Sequence, residues 1–155
     1  MNILYLNSGK PPSKELYSAL QLLGNITDTD ISGALEPKSQ VRLIIKQMSC
    51  QIDLIASDGE VSWLASHVGA LVGIPFVVLN PSFSEPNSLP LAENGCGILL
   101  FSHDHKTNAN KKQLEAIHKA YNPRKLENTI LKNDNKLAKI IKDIYERAVM
   151  VYGLN

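Results

Sequence analysis

A chain of 155 residues in which 44% of the side chains are hydrophobic is long enough to build one domain with its own core. The formal net charge of +1 does not favour nucleic acid, a membrane surface or an acidic partner. Two cysteines without metal-ligand spacing exclude a disulfide scaffold and a zinc cluster. No apolar run reaches membrane-spanning length, and the apolar N-terminal stretch is too short for a signal peptide. We therefore expect a cytoplasmic protein with no nucleic-acid or membrane partner.

Apolar strand patterns alternate with helical patterns through the first half of the chain. Residues 2–6 predict a first strand, and Ser13 is a suitable N-cap for a helix that Gly24 ends. Residues 25–31 predict a second strand, and Pro37 opens a second helix. The apolar stripes expected on these two helices are Leu16, Ala19, Leu20 and Leu23, and then Val41, Ile44, Ile45 and Met48.

The alternation continues through the second half. Residues 53–56 predict a third strand, and Gly73 ends the amphipathic helix that follows it. Residues 74–80, 95–101 and 124–131 predict the remaining three strands. The stripes expected on the helices are Val61, Leu64, Ala65, Val68, Leu71 and Val72; Leu114, Ile117 and Tyr121; and Leu137, Ile140, Ile141, Ile144, Ala148 and Val151.

Strands separated by helices imply right-handed crossovers, so we expect a single three-layer α/β/α domain over residues 1–155 with a mostly parallel sheet of about six strands. Ligands in such sheets bind beyond the carboxyl ends of the strands, near the point where strand order reverses. The loops expected at those ends are residues 7–10, 57–60, 80–83, 102–105 and 132–135.

Nucleotide and metal sites are not indicated. The sequence "NSGKPPSK" lacks the upstream glycine of a P-loop and has proline after Lys10, and no G-x-G-x-x-G is present. His103, Asp104 and His105 supply only half of a metal-ligand set, with no further His or Cys close in sequence. We expect no cofactor and no metal.

Five segments in chain order resemble the small, nearly capless esterases of the YqiA-like type in the α/β-hydrolase fold. They are "ILYLN", "SDGEVSWLA", "IPFVVLNPSF", "GILLFSHDHKT" and "LKNDNKL". The resemblance implies an α/β-hydrolase-like domain with the nucleophile after the third strand, the acid after the fifth and the histidine after the sixth. The 84–94 segment, "SEPNSLPLAEN", is too short for a helical lid, so we expect a minimal cap or none.

A serine esterase needs a nucleophile on a tight strand-to-helix turn, an imidazole base and a carboxylate that orients it. Ser57 is the candidate nucleophile, although Ile55 stands where the turn requires a small residue. A shift of one residue places Ala56 at that small position and makes Asp58 the nucleophile. We favour Ser57.

The base is missing from its implied position, where the sequence has Asn135, and an amide nitrogen is not basic. His103, Asp104 and His105 lie in the loop that should carry the acid, so either histidine is a candidate base. The resemblance implies His-Gly for the oxyanion after the first strand, whereas this chain has Asn7, Ser8 and Gly9.

Losing one triad member costs about 10⁴-fold or more in rate, so these substitutions predict a protein that is not a hydrolase through the usual triad. We expect it to bind a small molecule or a protein partner. The predicted binding residues are Asn7, Ser8, Gly9, Asp58, Gly59, Asn80, Ser82 and Phe83.

Two alternatives stay open. One is an active serine esterase that uses Ser57 with His103 or His105 as an unusual base. The other is a receiver-like signalling domain, because Asp58 stands near the end of the third strand, where a phosphoaccepting aspartate would lie. Such a domain needs an acidic pair after the first strand to hold magnesium, and this chain has Asn7 and Ser8 there.

Overall fold

The computed structural model describes residues 1–33, 36–48, 51–82, 96–103, 111–112, 115 and 124–152. Three of the predicted site residues, Phe83, Asp104 and His105, lie outside these segments, as do residues 116–121 and Leu114 of one predicted helix.

Six strands within the described residues form one sheet, and every neighbouring pair is parallel. The strands are β1 (Asn2–Asn7), β2 (Asn25–Asp30), β3 (Leu54–Asp58), β4 (Phe76–Leu79), β5 (Gly97–Ser102) and β6 (Arg124–Leu126). Their order across the sheet is β2-β1-β3-β4-β5-β6. The chain runs outward from β1 to β2 and then returns past β1 to β3, so strand order reverses between β1 and β3.

Helices cover both faces of the sheet, which confirms the predicted three-layer α/β/α architecture. In the described segments they are α1 (Lys14–Gln21), α2 (Pro37–Gln47), α3 (Ser62–Val72), α4 (Asn128–Leu131) and α5 (Asp134–Tyr152). One core cluster joins α1, α4 and α5 to one face, and a second joins α2 and α3 to the other. None of these helices is both long and apolar enough to cross a bilayer.

Three predicted helix ends are confirmed by local geometry, whereas α1 ends at Gln21 and not at the predicted Gly24. Ser13 caps α1, since its hydroxyl accepts a hydrogen bond from the Leu16 N–H at 3.5 Å. Helix α2 begins at Pro37, whose restricted φ suits a first turn. Gly73 ends α3 in the left-handed conformation, with φ of 73°.

Two predicted strands have different bounds. β3 runs two residues beyond the predicted 53–56 segment, because Asp58 still pairs with Leu79 of β4. The strand predicted for residues 124–131 is wrong in its second half, where α4 replaces it. Asparagine and glutamate are poor strand formers, and the apolar residues of α4 pack with α5 in the same core cluster.

Some residues of the predicted apolar stripes are exposed and not buried. In α3, Leu64, Ala65 and Val68 are buried, whereas Leu71 is 61% exposed at the last turn, beside the half-exposed Val72. In α2, Ile44 is buried and Ile45 is 43% exposed. Helical spacing places these side chains close to the core stripe, and only packing decides which of them are covered.

Gly97 is required by the close approach of β4 to β5, because a Cβ at this position would lie 2.5 Å from the Phe76 carbonyl oxygen and 2.6 Å from its ring. We expect Gly97→Ala to lower the free energy of unfolding by about 1–3 kcal/mol, measured by urea denaturation. Gly33→Ala is the matched control, since a Cβ there meets nothing within 4 Å. A Gly97→Ala protein as stable as the control would contradict this packing.

Candidate functional site

The carboxyl ends of β1, β3 and β4 surround a cleft of about 400 Å³ at the point where strand order reverses. Because α1 and α3 leave the sheet toward opposite faces, the loops that precede them diverge and leave this space open. The residues that line this switch-point cleft are Ser8, Lys10, Pro11, Ser13, Asp58, Gly59, Glu60, Leu79, Asn80 and Ser82.

Asp58 is the half-buried carboxylate of the cleft. It ends β3 with an ordinary extended backbone, φ −133° and ψ 161°. Since side chains alternate along a strand, Asp58 lies on the face that carries α1, like its register partner Leu79. Its Oδ2 accepts the Ser13 N–H at 2.6 Å, which ties the end of β3 to the start of α1.

Tyr5 lies below Asp58 on the same face of the sheet. It pairs in register with Ala56, two residues before Asp58, and it is fully buried. Its ring packs edge-to-face against Tyr17, with centroids 5.4 Å apart. Burial, and then the negative charge of Asp58, raise the pKa of the Tyr5 hydroxyl well above its usual range. That hydroxyl makes no hydrogen bond of standard geometry with any described residue.

A salt bridge crosses the rim of the cleft. Lys10 Nζ, from the loop after β1, lies 2.8 Å from Glu60 Oε1, from the turn after β3. Both side chains are about two-thirds exposed, so the pair contributes at most about 1 kcal/mol to stability. Its effect on the site is electrostatic, because each charge largely neutralises the other.

Three hydrogen bonds hold together the ends of β3, β4 and β5, which form one wall of the cleft. Asn80 follows β4 in the left-handed region, with φ of 48°, and its Oδ1 accepts the Ser102 N–H at 2.7 Å. The Asn80 N–H donates to the Leu100 carbonyl at 2.7 Å, and the Ser82 N–H donates to the Gly59 carbonyl at 2.9 Å. The ends of β3, β4 and β5 therefore form one connected wall.

The sharp turn from β3 into α3 is made by a residue with no side chain. Gly59, with φ of 55°, begins the 3₁₀ turn Gly59–Val61 that leads into α3. The Ser62 hydroxyl donates to the Gly59 carbonyl and holds this turn against the helix. In a serine hydrolase the nucleophile occupies the strained position of such a turn. Here that position is a glycine.

Ser57 lies within β3 and not at its end, so it does not line the cleft. It is fully buried, and its register partners Leu6 and Val78 belong to the core cluster under α2 and α3. Its hydroxyl makes no hydrogen bond with any described residue. The placement separates the predicted nucleophile from Asp58, because neighbouring residues in a strand face opposite sides of the sheet.

The predicted base and acid are not brought together with Ser57 in the described part of the chain. His103 is exposed in the turn after β5, and Asn135 is exposed in the first turn of α5. Neither lines the cleft, and neither does His67, which lies on α3. Asp104 and His105 lie outside the described residues. No three His, Cys, Asp or Glu side chains of the described residues are grouped as a metal site.

The predicted binding residues are largely brought together. Ser8, Asp58, Gly59, Asn80 and Ser82 line the cleft. Asn7 and Gly9 do not line it; they lie on either side of Ser8 and are joined by a hydrogen bond of 3.0 Å from the Gly9 N–H to Asn7 Oδ1. Lys10 and Glu60 lie in two of the loops predicted for the site but were not named as binding residues, and Pro11, Ser13 and Leu79 lie outside the predicted loops. The opposite charges of Lys10 and Glu60, in two loops expected at one sheet edge, were the available signal for the rim.

No protein-family model matches this sequence, and its comparison with curated proteins gives no match.

Two buried serines, one on each side of the turn Gly59–Val61, form a matched pair for measuring how much a buried hydroxyl contributes to stability. Ser57 and Ser62 are both fully buried, but only the Ser62 hydroxyl is hydrogen-bonded among the described residues. We expect Ser57→Ala to leave the free energy of unfolding unchanged or raised, and Ser62→Ala to lower it by about 1 kcal/mol. Urea denaturation measures both. A larger loss at Ser57 than at Ser62 would show that the Ser57 hydroxyl has a partner.

The raised pKa of Tyr5 predicts a loss of stability in alkali. The folded protein retains a proton that the unfolded chain releases near pH 10, so this stabilisation is complete below about pH 10 and declines above it. We expect the unfolding midpoint of the natural protein to fall more between about pH 9 and about pH 11 than that of Tyr5→Phe. Equal pH dependence in the two proteins would contradict the assignment.

Proposed function

We propose that this chain is a non-catalytic binding protein that holds a small polar ligand in the switch-point cleft. The observation that carries this proposal is that Ser57 is buried in the core and Asp58 lines the cleft, whereas an esterase needs the serine in the cleft. The buried face of β3 takes the hydroxyl, and the cleft takes a carboxylate already bonded to the start of α1.

The chemistry of the described cleft supports binding over acyl transfer. A serine esterase needs a hydroxyl and an imidazole within hydrogen-bond reach of each other. The described lining has hydroxyls from Ser8, Ser13 and Ser82, but no histidine. The Ser13 hydroxyl already donates to Glu15 and caps α1, so it has a structural role.

The size and composition of the cleft suit a small molecule. About 400 Å³ lies within the range of ordinary ligand pockets. Leu79 and Pro11 supply apolar surface, and Asp58, Asn80 and Ser82 supply polar groups from two neighbouring strands. We retain as part of the proposal that the protein is an α/β-hydrolase-like relative of YqiA-type esterases whose catalytic residues have been replaced.

A receiver-like phosphoacceptor domain is the second candidate. It is favoured by the position of Asp58 at the end of β3 and by strand order β2-β1-β3-β4-β5, which receiver domains share. It is disfavoured by Asn7 and Ser8 where magnesium requires carboxylates, and by the hydrogen bond that already engages Asp58.

Intact-mass spectrometry and an ester assay separate the two covalent alternatives from the binding proposal. We expect no adduct after incubation with a fluorophosphonate probe and none after acetyl phosphate with Mg²⁺. We also expect no turnover of p-nitrophenyl acetate above a heat-denatured control. A fluorophosphonate adduct that Ser57→Ala abolishes would establish the esterase. A phosphoryl adduct lost in Asp58→Asn, but kept in the exposed-site control Asp143→Asn, would establish the receiver domain.

A further inference from the structure

The charges of the switch-point cleft do not balance. Three charged residues line it, and Lys10 and Glu60 are paired with each other at 2.8 Å. The third is Asp58, and no described cation lies within salt-bridge distance of it. The cleft therefore presents one carboxylate without a counter-ion among the described residues.

The Asp58 carboxylate is held in place with most of its acceptor capacity free. The Ser13 N–H binds Oδ2 at 2.6 Å, and a carboxylate offers about four lone-pair positions. Because that donor is the backbone of the α1 N-cap, it fixes the carboxyl group without adding a mobile charge.

A second, independent feature lies directly beneath. Register and face place the Tyr5 side chain beside Asp58, and its buried hydroxyl interacts with the Asp58 carboxylate without a hydrogen bond of standard geometry to any described residue. Tyr5 is not among the residues that line the cleft, so its hydroxyl acts on the site through the Asp58 carboxylate.

We propose that the ligand of this cleft is a small organic cation, a protonated amine, whose ammonium group binds the Asp58 carboxylate above the Tyr5 hydroxyl. This inference rests on the proposed binding function and names its ligand class. Anions are disfavoured by Asp58 and Glu60 together, since Lys10 is already engaged by Glu60. A divalent metal ion would need more oxygen ligands than the single free carboxylate of the described cleft provides.

Three four-carbon probes separate the ligand classes by charge: butylammonium, butanol and butyrate. Titration of the ¹⁵N-labelled protein at neutral pH follows the amide signals of Ser13, Asp58 and Gly59. We expect butylammonium to shift these signals in a saturable way, and the other two probes to leave them unchanged at equal concentration. Saturable shifts with butanol or butyrate but not with butylammonium would overturn the ligand class and leave the binding function standing.

Asp58→Asn removes the charge and keeps an acceptor for the Ser13 N–H, so we expect butylammonium affinity to fall at least about tenfold. Asp143→Asn is the control, because it removes one negative charge from an exposed position on α5 and should leave the affinity unchanged. Equal loss in the two variants would contradict a specific contact. If Asp58→Asn does not fold, the probe comparison on the natural protein decides the inference alone. Failure of the binding function itself is detected separately, as ester turnover or covalent labelling.

Discussion

The hydrogen bond from the Ser13 N–H to Asp58 links the two halves of the sheet at the point where strand order reverses. β1 and its loop belong to the half that continues into β2, and β3 belongs to the half that continues into β4. β1 and β3 are already paired through their backbones, and a charge-assisted bond of 2.6 Å between the N-cap of α1 and the last residue of β3 fixes the start of α1 against the end of β3. Both partners of this bond line the cleft, so the bond defines one of its walls.

Much of the fold follows from the sequence because the central strands are buried on both faces. Runs such as residues 3–6 and 76–79 are continuously apolar, as parallel strands between two helical layers must be. Helix ends were predictable for local reasons, from an N-cap serine and a left-handed glycine. The second half of the predicted sixth strand was wrong, because a short run with two apolar residues fits a strand or a single helical turn equally well.

The location of the candidate site could be predicted from the sequence, but the roles of its residues could not. Parallel topology alone places the loops after β1, β3 and β4 at one edge, so most of the lining could be named. Side chains within a strand alternate between its faces, so the roles of Ser57 and Asp58 depend on whether β3 extends far enough to include them. Two residues of extra strand were enough to place Ser57 inside the sheet and Asp58 in the cleft. Sequence spacing does not determine that boundary, because it depends on pairing with β4.

Gly59 leaves space for a side chain at the turn between β3 and α3. A Cβ at this position would meet no atom within 4 Å, so the turn has room for a side chain and is restricted only by its backbone angle of 55°. Non-glycine residues tolerate the left-handed region at a cost of about 1–2 kcal/mol. A single codon change could therefore install a hydroxyl or a thiol at the strained position where hydrolases keep their nucleophile. At this turn, the space for such a side chain is already present.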